Sequence, residues 1–289
     1  MPTKIEKDTY TGMETTGHEW DGIQELNRPL PKWWVYILYA TILWSIGYYI
    51  LYPAIPWTSG HTDGVLGYNS REQVAEQITV ARSAQAGFRD RIDSAALDEI
   101  RADQGLFDFA MAGGRAAFAD NCAPCHGTGA AGAKGYPSLV DDDWLWGGTA
   151  DDVHHTILYG IRAENDDTRV NEMPAFVATE MLGAAEAGDV AEHVLFLGGR
   201  GEDAAAAQRG AAVFAEQCTA CHGEDGTGIA ELGAPNLTDA IWLYGGERAD
   251  IVSSIGKGRA GMMPAWVDRL DGPTVKMLAI YVHALGGGQ

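Results

Sequence analysis

Between Trp33 and Trp57 the chain carries no charged residue and is apolar on every face, WWVYILYATILWSIGYYILYPAIPW. As a helix, the part from Val35 to Tyr52 rises about 27 Å, close to the hydrocarbon thickness of a bilayer. Trp33, Trp34 and Trp57 sit where an aromatic belt belongs, and Pro53 and Pro56 end the run. A soluble core helix keeps a polar side, and a secretory signal has a shorter apolar region nearer the start followed by a small-residue cleavage site. The pattern therefore predicts a membrane anchor over 33–57. A Gly-, Ser- and Asp-rich stretch from Thr58 to Asn69 then reads as a loop. Ser70 with Gln73 fits a capping box, and Val74, Ile78, Ala81, Phe88 and Ile92 follow at helical spacing, with a shorter helical pattern through Leu97 and Ile100. These linker helices offer packing or docking surfaces and no chemistry, and His61 reads as a solvated loop residue.

Beyond residue 107 the pattern repeats. The segment GRAAFADNCAPCHG from Gly114 matches GAAVFAEQCTACHG from Gly210, each being Gly-x3-Phe-x3-Cys-x2-Cys-His-Gly. Pro137, Leu139, Trp144, Gly147 and Gly148 correspond to Pro235, Leu237, Trp242, Gly245 and Gly246. Both copies reach a Met-Pro-Ala-aromatic run, Met173–Phe176 and Met263–Trp266, and close on helical patterns around Asp189–Gly199 and Thr274–Gly287. The predicted organisation is an N-terminal segment (1–32), the anchor (33–57), a partly helical linker (58–107) and two repeated domains (108–200 and 201–289). The fold class is all-α.

The four cysteines fall into the two repeated pairs Cys122/Cys125 and Cys218/Cys221. Cys-x-x-Cys-His is the attachment sequence of c-type haem. Its two thiols form thioethers with the porphyrin vinyl groups, and the adjacent histidine, His126 or His222, comes under the iron. The following glycines, Gly127 and Gly223, let the chain turn away beside the ring. Zinc lacks an obvious fourth donor in either copy. A thioredoxin-like pair belongs in a βαβ unit, and a disulfide across two residues is strained. Met173 and Met263 are the natural sixth ligands, because thioether sulfur opposite imidazole favours Fe(II). Their shared Met-Pro-Ala context selects Met263 over Met262. With both axial positions of two haem c groups filled, no coordination site is left for peroxide or oxygen, which argues for electron transfer and against a haem enzyme.

His154, His155, His193 and His283 read as surface or packing residues, and Trp144 and Trp242 as neighbours of the haems. From Gly160 to Met173 the first copy is eight residues longer than the second between Gly258 and Met263. The extra residues include Glu164, Asp166 and Asp167, a solvated insertion first and a docking site for a basic donor second.

Charge adds direction. Lys and Arg total 20 against 40 Asp and Glu, a net −20. Such a surface repels nucleic acid and anionic lipid, and it either steers basic partners or only keeps the protein soluble, since charge alone names no partner. Lys4, Lys7, Arg28 and Lys32 precede the anchor, whereas the next base after it is Arg71. The positive-inside rule places the N-terminus in the cytoplasm and the haem domains in the bacterial periplasm. The protein is then single-pass in the inner membrane.

The run TGHEWDGIQELNRPLPKWW, most specifically Gly17–Pro31, the span ending GYYILYP and the two CxxCH units resemble the dihaem subunit (CcoP/FixP) of cbb3-type cytochrome c oxidases over essentially the whole chain. The resemblance implies relay of electrons from a donor cytochrome c toward an oxygen-reducing haem–copper subunit. A mono-haem c subunit and a small single-span subunit would be further partners. It also implies that the methionines are exchanged, His126 with Met263 and His222 with Met173, whereas linear order alone favours pairing within each repeat. A free-standing anchored dihaem carrier serving another respiratory enzyme is the competing reading.

Overall fold

The computed structural model describes residues 4–286 and divides into two compact units, one ending at Ser83 and one beginning at Ala84.

The first unit opens with an antiparallel hairpin, β1 (Thr15–Trp20) and β2 (Ile23–Leu26), with Trp20 opposite Ile23. Its two-residue turn is Asp21-Gly22, both at positive φ (49° and 81°), the backbone that matches strand twist. Helix α1 covers Lys32–Leu51 and buries none of its residues against protein. It is long and apolar enough to cross a membrane. Its last turn ends at Tyr52, held extended at φ −119° and ψ 159° because the ring of Pro53 excludes helical backbone before it. A short hairpin, β3 (Pro56–Trp57) with β4 (Gly60–His61), follows, and His61 is exposed on it. The expected all-α class is therefore a mostly helical chain with two small sheets. Helix α2 (Ser70–Ser94) starts as expected, but its cap is not Ser70. Asn69 does that work, its side-chain oxygen accepting from the Arg71 and Glu72 amides at 3.0 and 3.4 Å.

The second unit holds the repeats. Helices α3 (Leu97–Ala102) and α4 (Gln104–Asn121) follow α2, and α5 (Ala123–His126) carries the first cysteine pair. Then come α6 (Ala150–Tyr159), α7 (Ala184–Leu197), α8 (Ala204–Gln217), α9 (Thr219–His222), α10 (Arg248–Lys257) and α11 (Gly272–His283).

Packing crosses the boundary expected at 200/201. Helix α11, from the second repeat, lies on α4 and α6 of the first, and α7, from the first, lies on α8 and α10 of the second. One core joins Phe118, Val153 and Ile157 to Val275, Leu278 and Val282, and the other joins Val190, Ala191 and Val194 to Phe214, Ile251 and Ile255. Both crossings depend on the glycine that opens each repeat. A Cβ on Gly114 would lie 2.3 Å from the Met277 carbonyl oxygen, and one on Gly210 would lie 2.0 Å from that of Asp189.

The linker contributes to a third core, built with α4 and α11. Ile92, Leu97 and Ile100 are buried with Leu106, Ala110, Met277 and Ile280. Lys276 Nζ donates to the carbonyls of Ile92, Asp93 and Ala95 at 3.2, 2.7 and 2.8 Å, placing a cation at the C-terminus of α2. The other end of the linker pattern stays open, with Val74 and Ile78 exposed.

Candidate haem sites

Each cysteine pair sits where a long helix gives way to a single turn. Cys122 closes α4, and the amides of Cys125 and His126 donate back to its carbonyl at 3.1 and 2.9 Å. Cys218, Cys221 and His222 repeat this geometry at 3.1 and 2.9 Å. The turn fixes the two sulfurs and the imidazole relative to one another, and Gly127 and Gly223, at φ 79° and 77°, reverse the chain immediately afterwards.

The histidines are oriented by backbone. His126 Nδ1 lies 3.0 Å from the Pro137 carbonyl oxygen and His222 Nδ1 lies 3.1 Å from that of Pro235. A carbonyl only accepts, so Nδ1 carries the proton and donates, and Nε2 is left with its lone pair for a metal. Burial lowers the pKa of His222 and favours the neutral ring that ligation requires.

All four thiols are free. Burial, together with the neighbouring cysteine, pushes Cys122 and Cys218 up to about 11. Such thiols are poor thiolates, which does not suit a thiol-exchange pair. Among the described residues no three His, Cys, Asp or Glu side chains gather as a metal cage. Paired free thiols, a singly committed imidazole and an adjacent apolar core fit a covalently held porphyrin in each copy.

The methionines fall on opposite sides. Met263 packs on the core that contains Cys122, Leu139 and Trp144, while Met173 packs on the one that contains Cys218, Leu237 and Trp242. Met263 exchanges two backbone hydrogen bonds with Ile161, each 3.0 Å, and Met173 does the same with Arg259, again 3.0 Å each. Gly160 and Gly258 allow these crossings, since a Cβ there would lie 2.4 Å from the Met263 oxygen or 2.5 Å from that of Met173. Met262 is 71% exposed and belongs to neither core.

Trp144 and Trp242 lie at the edges of the two cores, each against a glycine (Gly148 or Gly246) that could not carry a side chain. His193 packs on Phe214 with ring centroids 5.1 Å apart, His155 on Tyr159 at 4.9 Å, and His283 is buried on α11. His154 is half-buried on α6.

Matched arginines went unnoticed in the sequence. Arg169 lies over Trp146 and donates from Nε to Thr156 Oγ1 at 3.0 Å. Arg259 lies over Tyr244 and donates from Nε to Ser254 Oγ at 3.1 Å. Each stands four residues before its methionine, a matched spacing that was available as a signal.

Family models match both the N-terminal part of the chain and its two repeats. The model of the N-terminal domain of cytochrome oxidase-cbb3, FixP, matches residues 12–59, and that of cytochrome c oxidase, cbb3-type, subunit III matches 109–194 and 205–282. The chain belongs to the cbb3-type cytochrome c oxidase subunit III family. Among its relatives, the CcoP subunit of Azospirillum brasilense is 50% identical, over 98% of this chain and 99% of its own length. The FixP subunit of Azorhizobium caulinodans is 52% identical over 98% and 96%, and the CcoP subunit of Cereibacter sphaeroides is 48% identical over the full length of both. The family match at 12–59 includes the Gly17–Pro31 run and α1, the helix long and apolar enough to cross a membrane. As a member of this family the chain is a cytochrome c electron-transfer subunit.

Proposed function

We propose that this subunit III chain carries two haem c groups and relays electrons to the oxygen-reducing haem–copper subunit of its oxidase. One haem is held by Cys122 and Cys125, with His126 and Met263 as axial ligands. The other is held by Cys218 and Cys221, with His222 and Met173. The observation that carries the pairing is that Met263 packs on the core that Cys122 adjoins, and Met173 on the core that Cys218 adjoins.

Bound haem supplies one-electron exchange between Fe(III) and Fe(II). The chain's own residues set the conditions. The Pro137 and Pro235 carbonyls hold each imidazole in the Nδ1–H tautomer. The apolar cores beside each cysteine pair would shield a bound porphyrin from water, which together with a thioether ligand would favour the reduced state. With a histidine and a methionine offered to each bound iron, no position would be left open for oxygen chemistry on this chain.

Basic residues concentrated before α1 support an N-terminus in the cytoplasm and haem units in the periplasm of a single-pass inner-membrane protein. The net charge of −20 suits a basic donor cytochrome c. A mono-haem c subunit and a small single-span subunit complete the expected assembly. The test is purification from detergent-solubilised membranes through a tag on this chain. Two haem c per chain by pyridine haemochrome, with haem b and copper co-eluting, is the expected result. Recovery of the chain with its haems but no haem b or copper would leave a free-standing carrier instead.

A further inference from the structure

The eight-residue insertion of the first repeat places one arginine where both methionine segments can be held at once. Arg162 donates from Nε to the Gly261 carbonyl at 2.7 Å and from Nη2 to the same oxygen, while Nη1 donates to the carbonyl of Asn171. Asn171 and Gly261 are equivalent positions, each two residues before a methionine, Met173 or Met263. One guanidinium therefore bridges matching points of the two ligand segments.

Its own backbone is fixed by the same segments. The preceding Ile161 exchanges hydrogen bonds with Met263, and the Arg162 amide donates to the Arg169 carbonyl at 2.7 Å. Arg162 takes φ 50°, a left-handed backbone that a non-glycine residue adopts only when its surroundings require it. The second repeat has only four residues between Gly258 and Met263 and no counterpart to this arginine. A planar fork with donors in fixed directions can serve two carbonyls together, which an ammonium cannot.

We propose that Arg162 is a positioning residue shared by both haem sites, a single clamp that fixes the two methionine segments and sets both sulfur–iron bonds together. This rests on the axial assignment above. The insertion then has a purpose that its acidic residues do not reveal, and the two haems are mechanically linked through one side chain.

The test compares the full-length, haem-loaded chain in detergent as wild type, Arg162→Gln, Arg162→Lys and Asp166→Asn, the last an exposed control in the same loop. The far-red sulfur–iron absorption of each ferric haem, the two midpoint potentials and ferrous carbon monoxide affinity are read. In Arg162→Gln both haems should lose sulfur–iron absorption, both potentials should fall, and carbon monoxide affinity should rise roughly tenfold or more at both. Arg162→Lys keeps the charge but not the fork, and should fall between Arg162→Gln and wild type. Asp166→Asn should match wild type. Unchanged spectra, a change confined to one haem, or failure of both arginine variants to accumulate with two haems would each overturn the clamp, the last by making Arg162 a folding residue. A wild-type chain without sulfur–iron absorption would instead overturn the axial assignment.

Discussion

Adding one methyl group at Gly210 tests the crossed packing directly. In Gly210→Ala the new Cβ would lie 2.0 Å from the Asp189 oxygen, 2.4 Å from its carbonyl carbon and 2.8 Å from the Val190 nitrogen. All three are backbone atoms of α7, so no side chain can swing aside. Ordinary contact begins near 3.4 Å, so the helices must separate by roughly an ångström in a core packed to crystalline density. Overpacking of this kind costs about 1–3 kcal/mol, and rigid backbone on both sides puts this case near the top, about 3 kcal/mol. At about 2–4 °C per kcal/mol for a unit of this size, the melting temperature should fall by about 6–12 °C. Gly256→Ala is the control. Its Cβ would meet nothing closer than 3.8 Å, and alanine in a helix is worth about 0.5–1 kcal/mol over glycine. Thermal unfolding followed by Soret circular dichroism of the haem-loaded chain reads both. The second haem, at Cys218 and Cys221, should lose its native signal first in Gly210→Ala, although the opposing α7 belongs to the first repeat. Equal melting of Gly210→Ala and Gly256→Ala would refute the close α7–α8 crossing.

Exchange of the methionines makes a matched pair of predictions. Met173→Leu should abolish sulfur–iron absorption of the haem at Cys218/Cys221 and spare the other, and Met263→Leu should do the reverse. The opposite assignment, read by titrating chains with one CxxCH removed, would restore pairing within repeats. Asp143 gives a pH signature. Burial, with the like charges of Asp239 and Asp141, raises it to about 6. The folded chain then holds this proton more tightly than the unfolded one, so the penalty is absent below about pH 4 and fully present above about pH 6. Discounted for partial exposure, Asp143→Asn should stabilise the chain by about 1 kcal/mol at pH 7, with the gain vanishing at pH 4. Denaturant titrations at the two pH values check it, and a gain independent of pH would remove the burial account. Finally, a chain ending at Asp271 keeps Met263 but loses α11, and with it Val275, Leu278 and Val282 from the first core. Its first haem should lose sulfur–iron absorption before the second does, and loss at the second haem alone would contradict closure of the first core by α11.

Much of this chain is legible without coordinates, for a physical reason in each case. An uncharged run bracketed by tryptophans has few fates other than a bilayer, and α1 ends at Leu51, with Tyr52 held extended before Pro53 as ring sterics require. The cysteine spacing carries haem attachment because only a single rigid turn brings two thiols and an imidazole together. The β1–β2 hairpin was also within reach, since Asp21-Gly22 between Trp20 and Ile23 is a strong turn signal. The all-α reading passed over it because the neighbouring anchor dominates the hydropathy. Asn69 displaced Ser70 as the cap of α2 because either residue can accept from the first amides, and only the backbone decides between them. What the linear pattern lacks is any mark of which repeat a helix joins. The apolar faces of α7 and α11 look alike, and similar cores accept either. Arg162 was hidden among Glu164, Asp166 and Asp167, where charge counting reads an acidic loop and geometry finds a cation holding two carbonyls.

Chain connectivity accounts for the crossing. Only 198–203 separate α7 from α8, so two neighbouring helices pack as a hairpin and the second haem site assembles from contacts close in sequence. Once α7 is committed to α8, the surface of α4 that in a self-contained repeat would receive it is open. The only equivalent helix left is α11, at the far end of the chain. The first core is thereby closed by its most distant element, at a higher entropic cost of closure than the second. The packing of Met173 and Met263 follows the same exchange, because ten or fewer residues separate each from the helix that follows it, α7 or α11. Crossed methionines and crossed helices are therefore one topological fact. A variant that disengages α11 should act on the Met263 side before it acts on the Met173 side.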